Sequence, residues 1–353
     1  MNARSSRYRA LLTGGAPTQA DMEWLRQQNL EVEVRGSELS ESELAGALVG
    51  KDAYILGGLE RATAAALSAA DDLKVIAFLG VGYHAFIDTA AATTAGIAVT
   101  NAPGANARAV AEFTIGLMLD AWRGITDLAM ETKAGRWHES KGRNLHAKTL
   151  GIVGMGAIGT IVARIAANGF GMRVVYASRT AKPELEREIA ARRVELSELV
   201  AESDVISLHA SYGPQTDRVI GDAQLAAVKP GAILINTSEA DLVDPASLRA
   251  ALMDGRLAAA AMDGYYIVPA PAAQDDPLGL LALDHTKFVV TPYAAGATEE
   301  SFRAMLEANV ESIGNLLSTG KDPRVVNPGF RDHAQWLPVR ARSRDDVESV
   351  GPA

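Results

Sequence analysis

The sequence predicts an α/β fold in two lobes. Two separate series of short apolar runs alternate with helical patterns, which implies βαβ units around parallel sheets. A glycine-rich turn opens the second series. At 353 residues the chain also exceeds the roughly 250 at which single cores stop growing.

In the first series the apolar runs "ALLTG" (10–14), "VEV" (32–34), "AYILGG" (53–58) and "KVIAFLG" (74–80) read as strands. Between them "TQADMEWLRQQN" (18–29) and "LSESELAGALVG" (39–50) carry helical spacing behind cap-type starts. A long helical stretch over 105–135 suits a helix bridging two lobes. The second series runs from "KTLGIVGMG" (148–156) through "MRVVYAS", "VISLHA", "GAILINT", "AAAAMDG" and "KFVVTPY". One more helix follows at 299–320, and residues 331–353 read as a loose polar tail in which Trp336 and Leu337 are the candidates to dock on a neighbour.

Composition excludes several classes. With 48% apolar and 22% charged residues and a mean hydropathy of +0.04, the chain reads as globular. No apolar run reaches the ~18 residues of a membrane helix. The N-terminus lacks the apolar core of a signal peptide. A net charge of −9 opposes nucleic-acid binding, which needs a basic stripe. Without cysteine there is no disulfide, thiolate metal site or cysteine nucleophile. The expectation is a cytoplasmic protein with a small-molecule substrate, no bound metal, and no nucleic-acid or membrane partner.

The most specific segment is "GIVGMGAIGTIVARIAANGFGMRVVYASRT" (151–180). Gly154, Gly156 and Gly159 form G-x-G-x-x-G after an apolar strand and at the head of an apolar-periodic helix, with a second strand behind it. The first glycine makes the turn, the second admits a diphosphate, and the third lets helix and strand pack closely. Ala157 and Ile158 open the helix, whose N-terminal amides favour phosphate. This predicts a Rossmann dinucleotide site; a glycine-rich turn without ligand is the plainer alternative. An NAD-selecting site carries an acid at the end of the second strand. Here Ser178, Arg179 and Thr180 stand there, a cation and two hydroxyls suited to a 2′-phosphate. NADP is the expected cofactor, and NAD the alternative with Arg179 solvated.

Taken together, "GVGYHAFID" (80–88), "GIAVTNAPGANARAVAEFTIGLML" (96–119), "LGIVGMGAIG" (150–159), "VKPGAILINT" (228–237), "LVDPASLRAAL" (242–252), "AAAMDG" (259–264), "VVTPYAAGAT" (289–298) and "VVNP" (325–328) resemble the D-isomer-specific 2-hydroxyacid dehydrogenases, which include glyoxylate/hydroxypyruvate reductases and phosphoglycerate dehydrogenases. The resemblance implies a Rossmann domain (105–296) inserted into a flavodoxin-like substrate domain (1–104 plus 297–330), with the active site in the cleft between them. It also implies a homodimer, for which the apolar helical stretch 109–122 and the following "WRGI" offer surface. Leu79, Gly80, Val81, Gly82 and His84 match the family's substrate-binding loop, here one residue longer; for His84 the plain role of a surface loop residue is the preferred reading. Asp263 matches the aspartate that bonds the nicotinamide carboxamide, and Thr237 with Asn236 holds the turn beneath it.

The chemistry-bearing residues depart from the pattern. The family clamps its substrate's carboxylate with an arginine, moves a proton with a histidine and tunes that histidine with a glutamate. Those three slots hold Glu239, Tyr293 and Tyr266 in this sequence. Arginine suits a 2-oxo acid through its planar, permanently charged fork; glutamate in its place changes the local charge by two units. A tyrosine phenol can act as a general acid, better if its neighbours lower its pKa from ~10. Three readings follow: an oxidoreductase acting on an unusual carbonyl, imine or alcohol with Tyr293 as acid/base; a catalytically silent NAD(P)-binding regulator; or a lyase or isomerase using a bound nicotinamide transiently. In each of them the three tyrosines Tyr265, Tyr266 and Tyr293 also have the plain role of packing.

Overall fold

The computed structural model describes residues 8–137, 139 and 141–336. The chain divides into two units, one formed up to Asn106 and again from Glu299, the other by Ala107–Thr298.

The first unit runs β1 (Tyr8–Gly14), α1 (Gln19–Gln27), β2 (Leu30–Arg35), α2 (Glu41–Leu48), β3 (Ala53–Gly57), α3 (Ala64–Leu67), β4 (Val75–Phe78), α4 (Thr89–Thr94) and β5 (Ala98–Thr100). Its five parallel strands lie in the order β2-β1-β3-β4-β5, the doubly wound arrangement with helices on both faces. Thr18 with Asp21, and Ser40 with Glu43, close reciprocal capping boxes that start α1 and α2. The helix Glu299–Thr319 returns to this unit and buries Leu306, Val310, Ile313 and Leu316 against Ala10, Leu12, Val75 and Ala77.

Residues 331–336 are not a loose tail. Trp336 is 2% exposed, meets the Phe330 ring edge-on at 4.8 Å and donates from Nε1 to the Gly96 carbonyl at 2.5 Å. A large apolar ring with its one donor satisfied is held firmly. Leu337 lies outside the described residues.

The second unit runs α5 (Ala107–Arg123), α6 (Ile125–Lys133), β6 (Thr149–Val153), α7 (Ala157–Phe170), β7 (Arg173–Ala177), α8 (Pro183–Ile189), β8 (Arg192–Arg193), α9 (Leu196–Glu202), β9 (Val205–Leu208), α10 (Asp222–Ala226), β10 (Ala232–Asn236), α11 (Pro245–Met253), β11 (Leu257–Asp263) and β12 (Phe288–Thr291). Its seven parallel strands are ordered β12-β11-β10-β9-β6-β7-β8. This is the Rossmann order, extended by one strand at the β12 edge. Chain order reverses between β6 and β9, the switch point at which such sheets bind ligands.

The helical stretch 105–135 is two helices rather than one. Gly124 adopts φ 62°, a left-handed conformation that ends α5 and starts α6. The apolar face of α5 is occupied within its own unit, where Ala111, Ile115, Met118 and Trp122 join the core cluster of Ile152, Val162 and Ala166. The surface assigned to a partner over 109–122 is therefore largely internal.

Candidate functional site

In a parallel sheet all strands finish along one edge. Here that edge carries Gly154 after β6, Ser178 after β7, His209 after β9, Thr237 after β10, Gly264 after β11 and Tyr293 beyond β12.

The glycine turn is built for different reasons at each position. Gly154 has φ 95°, and a Cβ there would lie 2.5 Å from the Ala210 nitrogen. A Cβ on Gly159 would collide with the Gly154 carbonyl oxygen. Those two glycines answer the protein's own packing. At Gly156 nothing lies within 4 Å of an added Cβ, so its backbone faces open space. Gly156 also gives α7 no side-chain cap, leaving the first amides of the helix, at Ala157 and half-buried Ile158, to an outside acceptor. Open space beside uncapped amides at a switch point fits a dinucleotide diphosphate. His209 flanks the turn. Its Nε2 lies 2.8 Å from Ser207 Oγ, and its buried Nδ1 has no partner among the described residues. Burial pushes the imidazole pKa down to about 3, so the ring is neutral.

Beyond β7, Ser178 is half-buried while Arg179 and Thr180 are exposed. The Gly154 amide donates to the Ala177 carbonyl at 2.9 Å and ties this loop to the glycine turn. Sequence reading missed Arg193 here. It donates to the carbonyls of Ser178 (3.0 Å) and Arg179 (3.2 Å) from a two-residue strand too short to leave a periodic signal.

After β10 the Asn236 side chain spans the turn. Its Oδ1 accepts from the Ser238 amide at 3.0 Å and its Nδ2 donates to the Glu239 carbonyl at 2.9 Å. Thr237 Oγ1 pairs with Thr114 Oγ1 at 2.8 Å. Glu239 is half-buried, and among the described residues no cation pairs with its carboxylate. Loss of water raises its pKa above the usual carboxylate range, and the charge of Asp241 raises it further.

Asp263 closes the edge. Its Oδ1 accepts from Thr291 Oγ1 (2.6 Å) and the Ala294 amide (2.8 Å), and its Oδ2 from the Ala295 amide (2.8 Å). Tyr293 lies between these anchors with φ 55°, a left-handed conformation that is strained for a bulky residue. Its ring lies on Gly264, where a Cβ would fall 2.6 Å from Cε1, so only glycine admits the ring. Tyr293 remains 39% exposed.

The neighbours of Tyr293 act opposite to the favourable case. Burial first, then the charges of Glu239, Asp241 and Asp263, push the phenol up to about 12. A lowered pKa would need a cation, and the charges acting on the phenol are those of three acids. Nor does Tyr266 partner Tyr293. Its hydroxyl donates to the Val243 carbonyl at 3.0 Å, and its ring packs edge-on against Tyr265 at 5.6 Å. Tyr265 in turn donates to Asp276 at 2.7 Å. Both tyrosines brace the turns around the edge.

In the first unit, Leu79 through Gly82 leave β4 with their carbonyls engaged at two positions. Gly80 oxygen accepts from the Ala102 amide at 2.8 Å, and Val81 oxygen from Asn101 Nδ2 at 2.9 Å. Gly80 packs against the Phe78 ring. His84 is exposed, its ring 4.1 Å from that of half-buried Tyr83.

The chain is similar to known dehydrogenases and reductases. Residues 115–295 match the family model described as the D-isomer specific 2-hydroxyacid dehydrogenase, NAD binding domain. The glyoxylate reductase of Korarchaeum cryptofilum is 36% identical over 277 residues, spanning 74% of this chain and 81% of that protein. Among solved structures, a protein of Thermus thermophilus superposes with a TM-score of 0.78 at 37% identity, covering 90% of this chain and 99% of that one. The apo D-lactate dehydrogenase of Escherichia coli does so with a TM-score of 0.77 at 26% identity, covering 90% and 99%.

Proposed function

The chain belongs to the D-isomer specific 2-hydroxyacid dehydrogenase family, and from that premise we propose that this oxidoreductase reduces a carbonyl or imine bearing no carboxylate next to the reacting carbon, using NADP(H). The carrying observation is the charge around Tyr293: Glu239, Asp241 and Asp263 all raise its pKa, and no arginine stands among them. A substrate carboxylate at ~4 Å from an ionised Glu239 meets a repulsion of roughly 4 kcal/mol at an effective dielectric of ~20. A neutral carbonyl escapes this, and a protonated imine is favoured by it.

The residues of the second unit divide the work. Gly154, Gly156, Ala157, Ile158 and Gly159 receive the diphosphate, Ser178, Arg179 and Thr180 the adenosine end, and Thr237 with Asp263 orders the nicotinamide end. When bound, the nicotinamide supplies the hydride. Tyr293 donates its phenolic proton to a carbonyl oxygen as charge develops there, its exposed edge letting solvent restore the proton, whereas a protonated imine already carries the proton its amine product keeps. A phenol with a pKa of about 12 is fully protonated at neutral pH and can still protonate a nascent alkoxide. Its phenolate is scarcely populated at neutral pH, so the reverse oxidation of an alcohol should speed up as pH rises. Glu239 screens substrates by charge, and Tyr266 holds the turn at Val243. The protein acts as a homodimer in the cytoplasm under this reading.

Single-turnover absorbance at the NADPH band, with panels of neutral ketones, aldehydes and cyclic imines, tests the proposal. Cofactor oxidation abolished by Tyr293→Phe supports it. Tight cofactor binding with no oxidation by any panel member would return the silent regulator instead, and conversion without net cofactor change would return the lyase or isomerase.

A further inference from the structure

Arg192 and Arg193 sit side by side on β8 but serve different ends. Arg192 gives its guanidinium to Glu198 and Glu202, both at 2.5 Å. Arg193, opposite Tyr176 in the β7–β8 register, reaches the other way and donates Nε to Ser178 oxygen and Nη2 to Arg179 oxygen. A neighbouring acid, Glu186, is taken by the Tyr176 hydroxyl at 2.5 Å. Among the described residues neither Arg179 nor Arg193 forms an ion pair, although the chain carries a net charge of −9. Two arginines without an ion pair among the described residues are therefore joined at one loop, the Arg193 side chain holding the Arg179 backbone, and that loop is bonded to the glycine turn through Ala177.

We propose that Arg193 is a specificity-determining residue for the cofactor. It holds the Ser178–Arg179 backbone in place for a 2′-phosphate and adds a second positive charge beside it. The inference rests on the NADP(H) reading. Two carbonyl bonds occupy two of the five guanidinium N–H groups, so donors remain for a phosphate oxygen. Lysine in this position keeps the charge but cannot bridge two carbonyls in a fixed plane.

Calorimetry with NADPH, NADH, adenosine 2′,5′-bisphosphate and AMP tests the proposal on the unaltered protein and on Arg193→Ala and Arg193→Lys. Loss of charge-assisted bonds predicts that Arg193→Ala weakens NADPH and the bisphosphate by about tenfold to a hundredfold. NADH and AMP should shift by less than about threefold, the size of an ordinary surface change. Arg193→Lys should recover only part of the loss. Equal weakening of all four ligands would mark a purely structural role and overturn the inference, as would unchanged binding of the bisphosphate. Full recovery in Arg193→Lys would overturn the positioning role. Preference of the unaltered protein for NADH would bring down the NADP(H) reading itself, whereas NADPH preference untouched by Arg193→Ala would remove only Arg193 from it.

Discussion

Asp263 is the residue whose removal tests the architecture of the edge most severely. Its carboxylate accepts from the amides of Ala294 and Ala295 at 2.8 Å each and from Thr291 Oγ1 at 2.6 Å. In Asp263→Ala the threonine hydroxyl keeps an alternative, since it already lies 3.3 Å from the Met262 carbonyl. The two amides do not. Ala295 is 3% exposed and its amide is stranded, while half-buried Ala294 finds water more easily. At about 1–3 kcal/mol per stranded buried donor, the expected loss is about 2–4 kcal/mol. Asp263→Asn should cost less, because one oxygen remains to accept, although the new amide group faces a donor. Release of these anchors also frees Tyr293 from its strained conformation, so its ring should leave Gly264. Urea unfolding gives the global cost, and hydrogen exchange at the Ala294 and Ala295 amides reports the local opening without assuming that both units unfold together. A loss below about 1 kcal/mol for Asp263→Ala, with both amides still protected, would refute the reasoning.

Other outcomes follow from the same structure. Phenolate difference spectra between the unaltered protein and Tyr293→Phe should place the phenol near 12, and Glu239→Gln should lower it because one raising charge is removed. No fall in that variant would refute the charge argument. His209 has a folded pKa of about 3 against 6.5 unfolded, so the unfolded chain binds the extra proton between those values. Its contribution to stability is complete above pH 6.5 and is lost as pH falls toward 3, at up to about 1.4 kcal/mol per pH unit. Subtracting the pH–stability curve of His209→Gln isolates this slope, which a solvated histidine would not show. Light scattering should give about twice the 37.2 kDa chain mass. Trp137 at 88% exposure, Ile125 at 53% and Met130 at 49% leave apolar surface just beyond α5. A monomer mass would count against the dimer.

The fold was largely legible because its signals are local. Apolar alternation marked the strands, and Thr18 and Ser40 announced their helices through side chains three residues away. The glycines of the turn were readable since sterics alone demand Gly154 and Gly159. What stayed hidden depends on partners distant in sequence. Trp336 finds the Gly96 carbonyl 240 residues away, and so polar composition mistook an anchored segment for a tail. Tyr266 is committed to Val243, 23 residues upstream, although its slot suggested a partner for Tyr293. The acids that push Tyr293 up come from separate strand ends, so the sequence named the phenol without revealing its charge environment. Gly124 was in plain view, but a helical run tolerates an isolated glycine, and only its left-handed φ shows the break.

The central claim is that a carboxylate in place of the clamping cation has removed ordinary 2-oxo acids from the substrate range. Initial rates of NADPH consumption with glyoxylate, pyruvate and hydroxypyruvate, measured side by side for the unaltered protein and for Glu239→Arg/Tyr266→Glu/Tyr293→His, test it most directly. The account predicts no appreciable rate for the unaltered protein, measurable turnover for the triple variant, and little turnover for Glu239→Arg alone, because anion binding and proton transfer act as one unit. Robust reduction of any of the three acids by the unaltered protein would contradict it.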